Sequence, residues 1–408
     1  MSSWKRTFHA AFAAQVCSIL GFSLAMPFMP FYIRQLGITN EAAVARWSGI
    51  VNGAAGFTMA LFGPLWGMVA DRVGRRPMVL RSMYGGVLVL LLMSVAQNVY
   101  QVLAFRLLQG ALTGTIAALV ALVASEAPRE RAGYALGVMQ SAVFVGFSAG
   151  PLIGGPLADA LGYRVMFALS SLLLLAGGLL VQFGVREQFV AASAASRPER
   201  DGFRAVLAAQ GFIAAVLVLL SLRYANSISA PTFALFVEQI HGQGRLTNTV
   251  VGALNAVGGF SAAVGAFLLG NLSDRWGHKR LLVASCVFGS LVSLGYVFVG
   301  GVWQLGALRL LFGLGAAGIL PAANAIIRHI TEDHNMGRAY GLTTSANSLG
   351  WMLGSLCGGE VAAMYGLRAP FVLMAVGIGL AGLLVVGFVR RDPPRRPGAP
   401  GGEPIVPG

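Results

Sequence analysis

The chain has 408 residues, 56% of them hydrophobic and only 11% charged, with a mean hydropathy of +0.73. That is more apolar side chain than a water-soluble core can bury, so a soluble globular protein is excluded and lipid must cover the remainder. The formal net charge of +14 suggests a nucleic-acid partner at first sight, but the positions of the basic residues give it another purpose.

Twelve apolar segments follow one another, each of a length that crosses a bilayer at ~1.5 Å of rise per residue. They occupy 8–33, 44–70, 78–96, 100–124, 132–158 and 165–185, then 206–237, 249–272, 281–300, 303–327, 339–364 and 367–389. No alternation of period two runs through them, which argues against a β-barrel. With the N-terminus placed in the cytoplasm, 21 of the 29 basic residues fall on the inner side. Only Arg34, Arg46, Arg164, Arg245 and Arg368 fall outside. This asymmetry predicts cytoplasmic termini and explains the positive charge as topology, without nucleic acid. The first segment has no small-residue cleavage site after it and is expected to be retained. Cys17, Cys286 and Cys357 lie within segments, where thiols behave as small apolar groups, and no disulfide framework or metal spacing exists.

The second half repeats the first. "GMVADRVGRR" at 67–76 returns as "GNLSDRWGHK" at 270–279, an offset of 203. At the same offset "GIVNGAAGF" (49–57) answers "GALNAVGGF" (252–260), and "LAFRLLQG" (103–110) answers "GALRLLFG" (306–313). At offset 204, "GFSAGPLIGG" (146–155) answers "GWMLGSLCGG" (350–359), and Pro27 answers Pro231. The expected fold is therefore an all-α membrane protein of 12 transmembrane helices in two pseudo-symmetric six-helix bundles. The expected boundaries are 1–185 for the first bundle, 186–204 for a charged cytoplasmic linker and 205–389 for the second bundle. The tail, 390–408, is too rich in Pro and Gly to fold alone.

On these repeated motifs the chain resembles the major facilitator superfamily over nearly its full length. "GFSAGPLIGG" in the fifth segment is similar to the signature of the drug:proton antiporter branch with 12 spans. The resemblance implies export of small amphiphilic drug-like molecules by alternating access in the bacterial inner membrane. It further implies a proton gradient as energy source, no cofactor and a monomer. The alternative within the same fold is an exporter or facilitator of a single metabolite, such as a sugar or organic anion. A membrane-embedded enzyme is disfavoured, because no HExxH, no Gly-x-Ser-x-Gly elbow and no cluster of His with carboxylates lies inside the segments.

In the repeated loop Gly67 and Gly74 permit a sharp turn, and Asp71 sits among Arg72, Arg75 and Arg76. The resemblance implies a cytoplasmic latch in which Asp71 caps the N-terminus of the eleventh segment; the plainer reading is that the arginines enforce topology. Asp274 and Arg275 are the second copy, with His278 and Lys279 replacing the arginine pair. Gly146, Gly150 and Gly154 share one face of the fifth segment, next to Pro151 and Gly155, which suits either a seal beside a bend or simple close packing.

Three arginines fall inside segments: Arg106, its repeat twin Arg309, and Arg223, whose twin is Ile19. Such charges are costly in lipid and mark function by default. The twins fit structural or transport roles, and Arg223 fits a cavity residue meeting an anionic or polar substrate group, or a snorkelling one. Arginine does not titrate usefully, and no carboxylate occupies mid-membrane. The proton-site candidates are thus Glu360, Glu126 and Glu238. The expected cavity is lined from the first, fourth, seventh and tenth segments. Its candidate contacts are Phe22, Met26, Met29, Asn226, Phe233 and Phe236, with Asn255 and Asn347 from neighbouring segments.

Overall fold

The computed structural model describes residues 3–128, 131–187, 212–316, 318 and 336–388, which form helices and short turns with no strand among them. Side chains at 71, 273–275 and 336–341, and a few others, lie outside that description. So do the expected linker from residue 188 onward and the tail at 390–408.

Helix α1 runs over Ser3–Ala25, a 3₁₀ turn at Met26–Phe28 and Met29–Gln35. Then come α2 (Glu41–Val73), α3 (Arg75–Ser94) and α4, which has an upper part, Val99–Leu112, and a lower part, Thr115–Glu126. The continuous stretch Ala132–Gly184 holds both α5 and α6. The second half has α7 (Phe212–Ile228 and Phe233–His241), α8 (Thr247–Trp276), α9 (His278–Gly295), α10 (Val302–Ala316), α11 (Met336–Tyr365) and α12 (Ala369–Phe388). At ~1.5 Å per residue the 53 residues of Ala132–Gly184 are far too long for one crossing. Gly162, at φ 77°, is the point where the stretch turns back, so α5 is 132–161 and α6 is 163–184.

The breaks follow the repeat. Pro27 sits in the 3₁₀ turn that interrupts α1, and its twin Pro231 lies in the gap between the two pieces of α7, because proline lacks the N–H that would continue the ladder. Gly74 and its twin Gly277 take φ values of 97° and 90°, conformations that L side chains avoid, and so carry the reversal from α2 to α3 and from α8 to α9.

An even number of crossings brings the start of α1 and the end of α12 to one end of the bundle. It also carries Arg75, Arg76 and Lys279, and is called the basic end here; the other is the far end. The larger apolar core is shared by both halves: Phe28, Tyr32 and Ile33 of α1 and Phe233, Phe236 and Val251 of α7 and α8 are buried in it at the far end, and in the second half it runs on to Leu282 of α9 and Val385 of α12. The core at the basic end is smaller and belongs to the first half, built around Phe8, Val79, Met83, Leu119 and Val181. Among the described residues the two halves share their apolar core at the far end.

Candidate functional site

Two helix pairs make the seam between the halves, α2 with α11 and α5 with α8. Small residues let their backbones touch. A Cβ placed on Gly49 of α2 would lie 2.6 Å from the carbonyl oxygen of Ser355 and 2.8 Å from the Cα of Gly359, both in α11. The repeat-equivalent contact joins Gly252 of α8 to Pro151 and Gly155 of α5. Toward the basic end the packing stops. Around Gly63 and Gly67 of α2, Gly133 and Gly137 of α5 and Gly270 of α8 there is open space among the described residues. Leu61, Met68, Tyr134 and Phe267 at these levels are exposed. Among the described residues the seam is closed at the far end and parted at the basic end.

Carboxylates lock the closed end across the seam. Arg34 of α1 makes a two-point ion pair with Glu238 of α7, both contacts at 2.8 Å, and also reaches Glu41. Arg46 of α2 pairs with Glu360 of α11 at 2.7 and 2.9 Å, exposed on both sides. Asp159 of α5 accepts from the backbone and side chains of Asn248 and Thr249, capping the first turn of α8 in the opposite half. The Tyr163 hydroxyl donates to Asn248 at 3.2 Å. A cavity of about 400 Å³ lies beside these locks, lined by Phe31, Arg34, Tyr163, Glu238, Thr247 and Asn248 among others, and none of the three intramembrane arginines reaches it.

Of those arginines, Arg106 is buried and fully engaged: it donates to Val51 O, Met26 Sδ, Gln109 Oε1 and Asn52 Oδ1 at 2.7–3.1 Å. Asn52 in turn donates to Ser355 Oγ of α11 at 3.1 Å, so the charge on α4 is tied across the seam. Its twin Arg309 donates to Asn255 Oδ1 at 2.7 Å and stacks over the Phe233 ring, 3.8 Å from its centroid. Arg223 is exposed on α7, with its guanidinium 5.8 Å from the Trp351 ring of α11 and no hydrogen bond or ion pair among the described residues.

The fifth-segment glycines divide between two neighbours. Gly146, Gly150 and Gly154 face α1, where added Cβ atoms would collide with Ile19, Ser23 and Leu24. The Ser23 hydroxyl donates to Gly146 O at 2.7 Å, stitching the same contact. Gly155, with Pro151, faces α8.

In the repeated loop, Arg76 donates to Gln182 O at the end of α6 at 2.6 Å, and Arg75 donates to Ala121 O of lower α4. The twin of Arg76, Lys279, donates to Val386 O at the end of α12 at 3.0 Å, so each copy staples a basic side chain to a helix C-terminus of its own half. Glu187 accepts from the backbone N–H groups of Arg75 and Arg76 at 2.7 and 2.8 Å and caps α3. Arg72 is exposed. The side chains of Asp71, Asp274 and Arg275, and those at the start of α11, lie outside the described residues.

The sequence matches the Major Facilitator Superfamily over residues 11–223 and again over 215–407. The chain belongs to the major facilitator superfamily. As a member of that superfamily it is a transporter and not an enzyme. It is 35% identical to the multidrug resistance protein MdtG of Enterobacter lignolyticus over 378 residues, covering 92% of this chain and 90% of that one. The MdtG protein of Serratia proteamaculans is also 35% identical, over 92% of this chain and 91% of its own length. Solved structures share the superfamily fold. The human organic anion transporter MFSD10 superposes with a TM-score of 0.72 at 19% identity, over 94% of this chain and all of that one. A bacterial homolog of the human lysosomal transporter Spinster, inward-facing and unoccupied, gives 0.74 at 15% identity, over 97% of this chain and all of its own.

Within this superfamily fold the expected cavity side chains are placed unevenly. Met26 touches Arg106, and Phe22 is half-buried against Gly86 of α3. Met29, Phe233 and Phe236 are buried at the far end, Phe236 against Phe371 with ring centroids 4.7 Å apart. Asn226, Asn255 and Asn347 each donate to a carbonyl four residues back on their own helix. Glu126 is half-buried at the end of lower α4. Asp159, Arg34, Asn52, Ser355 and Glu187 make polar contacts that the sequence motifs do not point to. One signal was available: Arg34 and Glu238 are repeat twins, 204 apart and opposite in charge, so a pseudo-two-fold axis brings them together.

Proposed function

We propose that this transporter is a multidrug exporter of the bacterial inner membrane that works by alternating access and proton antiport. The observation that carries the reading is the seam, closed by reciprocal backbone contacts and three carboxylate locks at one end and parted at the other. Rocking the halves about such a seam exposes a central site to either side in turn. The excess of basic residues makes the basic end cytoplasmic, so the state described here faces inward, ready to load substrate. The halves are 1–185 and 205–389, joined by the linker 186–204, and the protein acts as a monomer. The resemblance of both MdtG relatives in name supports drugs as cargo.

Arg223 directs the choice of cargo in this proposal. Arg106 spends its charge on protein acceptors, and Arg309 on Asn255 and an aromatic face, whereas Arg223 is exposed beside Trp351. Anionic, zwitterionic or neutral amphiphiles are then preferred to permanent cations. Protons are taken up by the acids Glu360, Glu126 or Glu238, and Asp71 latches the cytoplasmic side in the outward-facing state.

An efflux assay with a panel of amphiphiles, in cells lacking their own pumps, tests this. Export of several unlike compounds is expected, abolished by an uncoupler and by Asp71→Asn, with Arg223→Gln weakening anions more than neutral compounds. Uncoupler-insensitive movement of one metabolite alone makes the protein a facilitator. Best export of quaternary cations with a uniform effect of Arg223→Gln makes Arg223 structural.

A further inference from the structure

Arg81, on α3, is a charge that neither the seam nor the repeat explains. Its guanidinium lies over the indole of Trp66 of α2, 3.7 Å from the ring centroid, and its Nε and Nη1 are buried without a hydrogen-bond partner. Trp66 is itself held in place, since its Nε1 donates to Ala111 O of α4 at 2.6 Å. The antiparallel register of α3 and α4 is pinned by Arg75 on Ala121 O at one end and Gly85 against Leu112 at the other. Arg81 therefore stands level with the break in α4, where Gly114 takes φ 128° and the lower part begins at Thr115. The Thr115 hydroxyl is also buried and unpartnered. The first N–H groups of a 12-residue helix thus start beside two orphaned donors. On the outward flank of α3, Pro77 and Leu88 are exposed on the same face as Arg81.

The twins of Arg81 and Trp66, at offset 203, are Ala284 and Leu269. The second half builds the same fold with neither, so the pair is not a demand of the architecture. A guanidinium cannot shed its charge, and below the headgroups it needs an acceptor. Stacked on an indole, with two of its three guanidinium nitrogens lacking an acceptor, it offers charged donors that a phosphate oxygen can satisfy.

We propose that Arg81 and Trp66, at the start of lower α4, bind the phosphate of an anionic phospholipid in the leaflet at the basic end. The phosphodiester accepts from the guanidinium edge, and the acyl chains descend along the exposed flank of α3. Basic pockets between helices on the cytoplasmic side recognise such headgroups.

Native mass spectrometry of the detergent-purified protein, titrated with phosphatidylglycerol or phosphatidylethanolamine, tests the site. One phosphatidylglycerol is expected to bind preferentially, with affinity about tenfold weaker in Arg81→Gln, as for a lost hydrogen bond to a charged group. Trp66→Leu weakens it too, Arg81→Lys is intermediate and conserves the fold, and Lys5→Gln leaves it unchanged. Equal retention by wild type, Arg81→Gln and Arg81→Lys overturns the proposal. Displacement of the lipid by millimolar inorganic phosphate assigns the site to a soluble ion and overturns the lipid assignment.

Discussion

Where α5 meets α8, Asp159 accepts four hydrogen bonds at the start of a helix in the other half. Where α2 meets α11, the residue equivalent to Asp159 is Ala363, and α2 is capped by its own Asn40 instead, whose Oδ1 accepts from Ala43 N at 3.0 Å. The work of bridging falls there to Arg46 and Glu360, half-exposed at 50% and 46%, whose equivalents in the other seam are Thr249 and Pro156. Deeper in, Asn52 crosses to Ser355, while its twin Asn255 turns back to Val251 O. The reason is local: the twin of Ser355 is Pro151, which has no side-chain acceptor. The repeat conserves the glycine contact that lets the backbones touch and varies the polar groups that hold it. One seam is held by a half-buried cap that water reaches poorly, the other by an exposed pair that salt screens and by one deeper hydrogen bond.

Bulk at the shared contact breaks both seams alike and has the largest expected effect. In Gly252→Leu the new side chain overlaps the carbonyl of Pro151, and in Gly49→Leu it meets Ser355 O. Overpacking of this kind costs ~1–3 kcal/mol. Both variants are expected to insert normally, to lose export and to expose far-end cysteine probes to impermeant thiol reagents; full export with either would remove the seam from the mechanism. Asp159→Asn comes next. It removes a charge from a helix N-terminus, an interaction worth up to ~2 kcal/mol when partly buried, and is expected to open the α5–α8 seam while leaving α2–α11 closed. Spin labels across each seam read this directly, and equal separation of the two contradicts the asymmetry.

Ser355→Ala deletes the bridge to Asn52, a loss of ~1 kcal/mol for an ordinary hydrogen bond. A modest fall in export is expected, because this bond crosses the seam. Glu360→Gln comes last. With Glu126 or Glu238 as the proton acceptor, its effect is expected to be the least of these substitutions and to vanish at high salt, whereas that of Asp159→Asn persists; a salt-independent loss of export in Glu360→Gln assigns the proton to Glu360 instead.

Much of this architecture could be read from the residues because it is written locally. Apolar length marks the crossings, Gly74 and Gly277 mark the turns, and Gly146, Gly150 and Gly154 mark a face that a neighbour approaches closely. Which neighbour was another matter. Gly150 rests on Ser23 of α1 within its own half, while Gly155, one residue past the motif's last face position, makes the contact between halves. A spacing of four defines a face but not its partner. The locks were hidden for the same reason: Arg46 and Glu360 are 314 positions apart, and only the crossing of two helices from different halves brings them together. The break in α4 was equally hard to see, since Thr113 and Gly114 interrupt a segment whose hydropathy continues through them. The twin positions Arg34 and Glu238 are the exception, because a two-fold repeat predicts that residues near its axis meet their own copies.

The far end must part in every transport cycle. Arg46→Cys combined with Glu360→Cys, on a background with Cys17, Cys286 and Cys357 replaced by serine, allows a short bifunctional thiol reagent to bridge α2 and α11. Efflux is then measured from the same cells before bridging, after it, and after cleavage of the linker by a reductant. Export is expected to stop in proportion to the bridged fraction and to return on cleavage. Undiminished export from a fully bridged protein would contradict the requirement that the far end part.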